Sequence, residues 1–283
     1  MDEFEQIVAD NKIPIGRWGK TAVDWITANL DWFFDGITEG LRVPIEGSVD
    51  LLLALPPFVF ILLAAALAWF LQRSWALVLF TVLGLAFILN QGLWEPMIET
   101  VVLIVFATTI SLAIGVPIGI LATQRPWVYP ALSPVLDMMQ TIPTFVYLVP
   151  TLILFGLGLV PGLIATIIFA VPAPIRLTYL GISQVPVALI EAGESFGSTR
   201  GQLLFRVKLP AALPTIMAGV TQCIMLSLSM VVIASMVGAN GLGAPVVRAL
   251  ATNNIALGSE AGLAIVILAI ALDRVTKPRA RKR

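Results

Sequence analysis

Glu191 to Pro210 reads EAGESFGSTRGQLLFRVKLP, two carboxylates, three cations and three glycines gathered in a chain that is 58% hydrophobic. Those types could serve acid–base, metal or docking chemistry, and the rest of the chain narrows the choice. There is no histidine, so no imidazole is available for metal binding or proton relay. The single Cys223 excludes a disulfide within the chain. One stretch, PIGRWGKT from Pro14 to Thr21, ends like a phosphate-binding loop, but that pattern needs Gly where Pro14 stands and a strand before it. Any ATP this protein uses is therefore expected on another chain, and no cofactor is expected on this one. What remains for the polar stretch is to dock and to transmit force.

The stretch divides into two short helices. Pro186 suits a first helical position, PVALIEAGESF continues for three turns, and Gly197 can adopt the left-handed backbone that stops a helix. Thr199 and Gln202 then form a capping box for a second helix, which is expected to end at Pro210, where the chain returns to the membrane. The small residues Ala188, Ala192 and Gly193 would let another surface approach closely, while Glu191 and Glu194 stay polar. An ordinary solvated loop with a charge cluster is the alternative reading.

The elements that hold this loop are transmembrane. Apolar runs at 51–70, 76–92, 98–122, 143–160, 162–181, 212–237 and 260–273 approach the roughly 20 residues needed to cross the hydrocarbon core. The expected fold is all-α, a polytopic bundle of about seven spans, since lipid-facing backbone must bond to itself and the alternation of a barrel is absent. The start, MDEFEQ, lacks a basic region followed by an apolar core, so the first span is expected to direct insertion.

The formal net charge of zero conceals a division: residues 1–50 hold ten Asp/Glu against four Lys/Arg. Three regions follow: an extracytoplasmic tail over 1–50, a membrane domain over 51–275 with its polar loop at 184–210, and a basic tail over 276–283. With seven spans and the polar loop inside, Arg73, Arg125, Arg176, Arg200, Arg206, Lys208 and the final basic residues collect on the cytoplasmic side, leaving Arg248 outside beyond the tail. The N-terminus is then outside and the C-terminus cytoplasmic, in a bacterial inner membrane. Within the tail, Val23, Ile26, Leu30, Phe33 and Phe34 fall at helical spacing, an amphipathic helix resting on lipid or on protein.

The polar stretch resembles the EAA motif of ABC importer permeases, through Glu191, Ala192, Gly193, Gly197, Val207, Leu209 and Pro210. Gly193 stands where Ala is usual and Val207 where Ile is usual. PVLDMMQTIPTFVYLVPTLILFGLG, PGLIATIIFAVPAPIRLTYLGISQVP and LPTIMAGVTQCIMLSLSMVVIASMVGANGLG extend the likeness to the glycine betaine/proline betaine/choline permeases of osmoprotectant uptake, over residues 40–275. The resemblance implies a type I importer permease of MetI-like architecture, working as a homodimer with two ATP-binding cassette subunits and an extracytoplasmic solute-binding protein. Residues 191–197 would be its coupling helix, and membrane lipid, not nucleic acid, its other partner.

Polar positions in apolar helices are candidates for lining a pathway. Thr215, Gln222, Ser229 and Met236 recur at seven-residue intervals, and Tyr147 and Thr151 share a face four residues apart. Helix-to-helix hydrogen bonding explains such residues equally well. Pro172 and Pro174 are expected to break the fifth span, and Gly115, Gly119, Gly158 and Gly162 to serve close packing. No cage of Trp or Tyr for a quaternary cation is evident, which points selectivity toward the binding protein. An ion-coupled secondary transporter would need ionisable groups at mid-membrane, and the span centres hold none; a scaffold or osmosensor would not need the polar loop.

Overall fold

The computed structural model describes residues 14–277, and all regular structure among them is helical. The basic residues beyond Lys277 and the acidic start therefore lie outside the described residues. A long helix α1 (Ile15–Leu53) leads into α2 (Pro57–Gln72), α3 (Trp75–Asn90) and α4 (Trp94–Gln124). Next come α5 (Val128–Thr141), a 3₁₀ turn at Thr144–Tyr147, α6 (Leu148–Phe155), α7 (Leu159–Ala170) and α8 (Pro172–Ser183). The chain closes with α9 (Val187–Ser195), the short α10 (Arg200–Gln202), α11 (Leu209–Ala234), α12 (Gly243–Thr252) and α13 (Ile255–Thr276).

Among the described residues, four helical stretches are long and apolar enough to cross a membrane: Trp94–Gln124, Leu159–Ser183, Arg200–Val237 and Ile255–Thr276. Two further pairs qualify if each bent pair is one span, α1 with α2 at 102° and α5 with Thr144–Phe155 at 104°. α3 is a shorter apolar helix of 16 residues. Both bends follow from proline: Ile142 and Pro56 take extended ψ angles of 129° and 136°, because the residue before a proline is pushed out of the helical region and each lies at a Pro boundary. Residues 143–160, expected as one straight span, are thus the second arm of a bent pair that ends at Phe155. Pro172 and Pro174 divide the fifth span into α7 and α8 at Val171, but Val171 keeps helical angles, so Leu159–Ser183 still counts as one apolar stretch.

Close contacts set the directions of the helices. A methyl on Gly115 would stand 2.7 Å from Pro174, and one on Gly119 would stand 2.7 Å from Thr178, so numbers rise together and α4 runs parallel to α7–α8. Gly181 lies against Ala212 and Thr215 while Gly219 lies against Leu177, so α11 runs antiparallel to them. Two parallel spans joined through residues 125–158 require that segment to return to the starting end. Gln72 Nε2 donates to the Val275 and Lys277 carbonyls at 3.1 and 2.7 Å, placing the end of α2 beside the end of α13. The ends near residues 72, 124, 183–209 and 277 therefore share one side of the bundle.

The main core joins Ile98, Val102, Leu163, Ile224, Leu228 and Ala264 from four spans, with Leu242 from the turn before α12 and Ile45 of α1 fully buried among them. α1 is kinked at Leu30, where φ is −122° and ψ 15°, and its second part runs on through residue 50, so the end of the acidic segment and the membrane body share a helix. Its Phe34 ring meets Phe155 edge-on at 5.3 Å, and Val23, Ile26 and Leu30 are half-buried. Gly162 packs on Ala234 as expected of a packing glycine. Gly158 does not: it has open space around it, a φ of +131°, and an amide bonded to Val237 O at 3.1 Å, so it serves a turn.

Candidate functional site

The polar loop leaves α8 after Ser183, and only Gln184, Val185 and Pro186 separate that membrane helix from α9. Pro186 stands one position earlier than expected, as the N-cap with φ −54° and ψ 131°. α9 ends in a Schellman arrangement: Ser198 N–H donates to Gly193 O at 3.1 Å and Gly197 N–H to Glu194 O at 2.8 Å, with Gly197 left-handed at φ +76°. The second helix opens with a reciprocal capping box, Thr199 N–H to Gln202 Oε1 at 2.9 Å and Gln202 N–H to Thr199 Oγ1 at 3.3 Å. Two helix ends that would otherwise need water are satisfied by the loop's own atoms, which makes it a stiff elbow.

Pro210 does not terminate the second helix. Residues Leu203–Lys208 form a π-helical turn in which Leu209 N–H reaches back five residues to Leu204 O, and α11 continues from Leu209 with Pro210 in its first turn. The wider turn relieves the clash a proline ring makes with the carbonyl four residues earlier. Arg200–Val237 is in consequence one continuous stretch of 38 residues, and the loop's second arm is rigidly part of a span.

The inner side of the elbow packs on a small cluster of Ile182, Val185, Leu204 and Ala212, with Ile190 and Leu209 against it. Gly193 belongs to this inner side: a methyl there would stand 2.8 Å from Leu203 Cδ1 and 3.4 Å from Val207 Cγ2. Gly193 is therefore a close-approach position between the two arms and not part of the presented surface, a correction to the sequence expectation. Val207 and Leu209 are half-buried beside it. The outer side carries Glu191, Ala192 and Glu194, all exposed, and α9 buries no residue at all. Phe196 is 92% exposed, Val187 66% and Phe205 67%, apolar side chains that this chain leaves uncovered at the loop.

The pathway candidates separate into two groups. Tyr147 and Thr151 are buried, and their hydroxyls are satisfied close by, Tyr147 donating to Met139 O at 2.6 Å and Thr151 to Tyr147 O at 3.0 Å. They knit α5 and the 3₁₀ turn to α6 and line no open surface. Thr215 lies half-buried against Gly181. Gln222, Ser229 and Met236 are exposed, along with Met225, so one side of α11 and the turn after it is uncovered in the single chain.

Sequence reading also missed a charged contact. Arg176, expected near a span end, is seven residues inside Leu159–Ser183, and its Nη2 donates to Asp137 Oδ1 of α5 at 2.6 Å. One turn on, Tyr179 stacks on Tyr129 of α5 at 3.7 Å with the rings 6° from parallel. Arginine and aspartate 39 residues apart, in apolar surroundings, were the available signal.

Helical spans with an elbow between two of them are the architecture of a membrane transport subunit. Residues 115–276 match the family described as binding-protein-dependent transport system inner membrane component, and the chain belongs to that family. More particularly, it is 49% identical over 266 residues, 94% of each chain, to the glycine betaine transport system permease protein OpuAB of Bacillus subtilis (strain 168). It is 45% identical to the glycine betaine/carnitine transport permease protein GbuB of Listeria monocytogenes serotype 1/2a (strain 10403S), over 94% of this chain and 95% of that one. Likeness to the glycine betaine/proline betaine transport system permease protein ProW of Escherichia coli (strain K12) is 45%, over 94% of this chain and 75% of that one. A solved inward-facing structure of the MetNI methionine ABC transporter aligns with a TM-score of 0.58 at 25% identity, over 67% of this chain and 94% of that one. The protein is a multi-pass permease subunit of an ABC importer, and its family works with ATPase and binding-protein partners.

Proposed function

We propose that this chain forms, with a second copy of itself, the transmembrane pathway of an ATP-driven importer for a quaternary-ammonium compatible solute of the glycine betaine type. Two separate ATP-binding cassette subunits supply the energy, and an extracytoplasmic binding protein delivers the solute. The relatives named for glycine betaine, together with their near-complete overlap with this chain, support the solute class. The chain itself makes and breaks no bond.

Glu191, Ala192 and Gly197 form the coupling surface, and Gly193, Val207, Leu209 and Pro210 hold it. The observation that carries this reading is α9 itself: a helix closed at its C-terminal end by the Gly197 turn, with no buried residue and with Phe196 almost fully exposed, joined by three residues to one span and by the 196–199 elbow to the continuous stretch Arg200–Val237. A stiff element of this kind transmits displacement to both spans at once. Gln222, Ser229 and Met236 face the pathway or the second copy, where shifts between two packed arrangements open opposite ends in turn. Tyr147 and Thr151 shape that wall from behind.

Sidedness follows the charge. Arg73, Arg125, Arg200, Arg206, Lys208, Arg274 and Lys277 stand at the end that carries the loop, which favours that end as cytoplasmic. The C-terminus is then inside, and α1 lies at the outer surface.

A cross-link tests the docking. With Cys223 replaced by Ala, Phe196→Cys should cross-link to the co-expressed ATPase through a short bifunctional reagent, in a yield that changes when ATP is trapped. No cross-link to the ATPase from Phe196 or Glu191 positions would reject α9 as the docking element.

A further inference from the structure

The helix α5, first arm of the bent pair, is fastened to α8 by few contacts, and they are unusual for a membrane interior. Arg176 donates to Asp137 at 2.6 Å, Tyr179 stacks on Tyr129 at 3.7 Å, and a small apolar cluster of Leu136, Val171 and Ile175 fills the space beside them. Arg176 lies about 10 Å along the helix from Ser183, at 1.5 Å per residue, well inside an otherwise apolar span. Charged side chains at such depth are expensive, are held by partners, and mark working parts of transporters more often than structural ones.

The pair is not a sealed structural bridge. Its two side chains keep 28% and 59% of their surface accessible, and the Arg176 Nε is buried without a partner, so the guanidinium is only partly committed to Asp137. A guanidinium that offers Asp137 one bond, in place of the two-bond fork it could make, can let go and rebind. The position of the pair matters as much. Only three residues separate α8 from α9, so a push on the docking helix has a short path to Arg176 and Tyr179 on α8. On the other side, α5 bends 104° into Thr144–Phe155, and Tyr147 ties that arm back to Met139.

We infer that Arg176 and Asp137 form a separable latch, through which displacement of the α9 docking helix is passed to the bent pair α5–α6, closed in one transport state and open in the other. Arg176 and Asp137 are positioning residues here. The latch rests on the importer reading above, and its test carries the wild-type importer as an internal control.

The experiment uses permease, ATPase and binding protein reconstituted together in vesicles, with glycine betaine as the probe. Asp137→Asn and Arg176→Gln should retain wild-type abundance and ATPase co-purification, yet lower ATP-driven uptake at least tenfold and leave ATP hydrolysis no longer responsive to loaded binding protein. The exchanged pair, Asp137→Arg with Arg176→Asp, should recover several-fold over either single variant. In a Cys223→Ala background, Asp137→Cys with Arg176→Cys bridged by a short thiol-specific linker should stop uptake, and reductant should restore it. Single variants at wild-type uptake, an exchanged pair no better than the singles, or full bridging without loss of uptake would each overturn the latch. Failure of the wild-type importer to move glycine betaine would instead reject the solute assignment.

Discussion

Gly197 donates its amide to the Glu194 carbonyl at 2.8 Å, and its own φ of +76° then carries the next amide, Ser198 N–H, back to the Gly193 carbonyl at 3.1 Å. That bond turns the chain by the shortest route from α9 into the Thr199 capping box, and it fixes the angle between the docking helix and the arm that becomes α11. A side chain at 197 meets no steric neighbour, so its cost is purely of the backbone.

Gly197→Val should therefore uncouple without unfolding. The left-handed conformation costs an L-residue roughly 1–2 kcal/mol, more for a β-branched one and less for Asn. Uptake should fall in the order Gly, Asn, Val at constant membrane abundance, with recovery of the ATPase in a pull-down falling in the same order.

Gly193 answers to a different constraint. A methyl there meets the end of the Leu203 side chain, which can rotate away, so Gly193→Ala should keep near-normal uptake. Gly193→Phe would have to push the two arms apart, and uptake should fall to background while insertion, read by membrane abundance, is unchanged.

Thr199→Ala removes the oxygen that accepts from Gln202 N–H. Loss of such a cap costs about 1 kcal/mol. Amides at 200–203 should exchange several-fold faster in hydrogen–deuterium exchange, with no change in α4 or α8.

The Gly197 stop and the Thr199 cap were legible in the sequence because they are local. A glycine ending an apolar-periodic run, and Thr three residues before Gln, express their chemistry within one turn. What lay beyond one turn was not legible. Pro210 looked like a terminus because the sequence does not disclose that the preceding turn widens to accept it. Tyr147 and Thr151 looked like lining because a hydroxyl in an apolar helix reads the same whether it faces a pathway or bonds to a nearby carbonyl, as Tyr147 does across the bend to Met139 and Thr151 does to Tyr147. The seven apolar runs gave the membrane class, but mean hydropathy has no direction, so the 104° bend after Thr141 was invisible apart from Pro143. Arg176 was counted as a flanking cation for the same reason: its partner lies 39 residues away.

Sidedness has its own check. In a Cys223→Ala background, single cysteines at 196 and 200 should be blocked only by reagents admitted to the cytoplasm, and a cysteine at 248 by impermeant reagent added outside. The reverse pattern would invert the charge argument.

The central claim is that ATP hydrolysed on a partner moves a quaternary-ammonium solute through this chain by way of α9. Its most direct measurement is accumulation of labelled glycine betaine in vesicles holding permease and ATPase, with binding protein supplied on the outer face and ATP enclosed within. The account predicts uptake that requires both ATP and binding protein, survives collapse of ion gradients, and is abolished by Glu191→Lys at unchanged permease abundance. Uptake driven by an ion gradient without ATP, or wild-type uptake in Glu191→Lys, would contradict it.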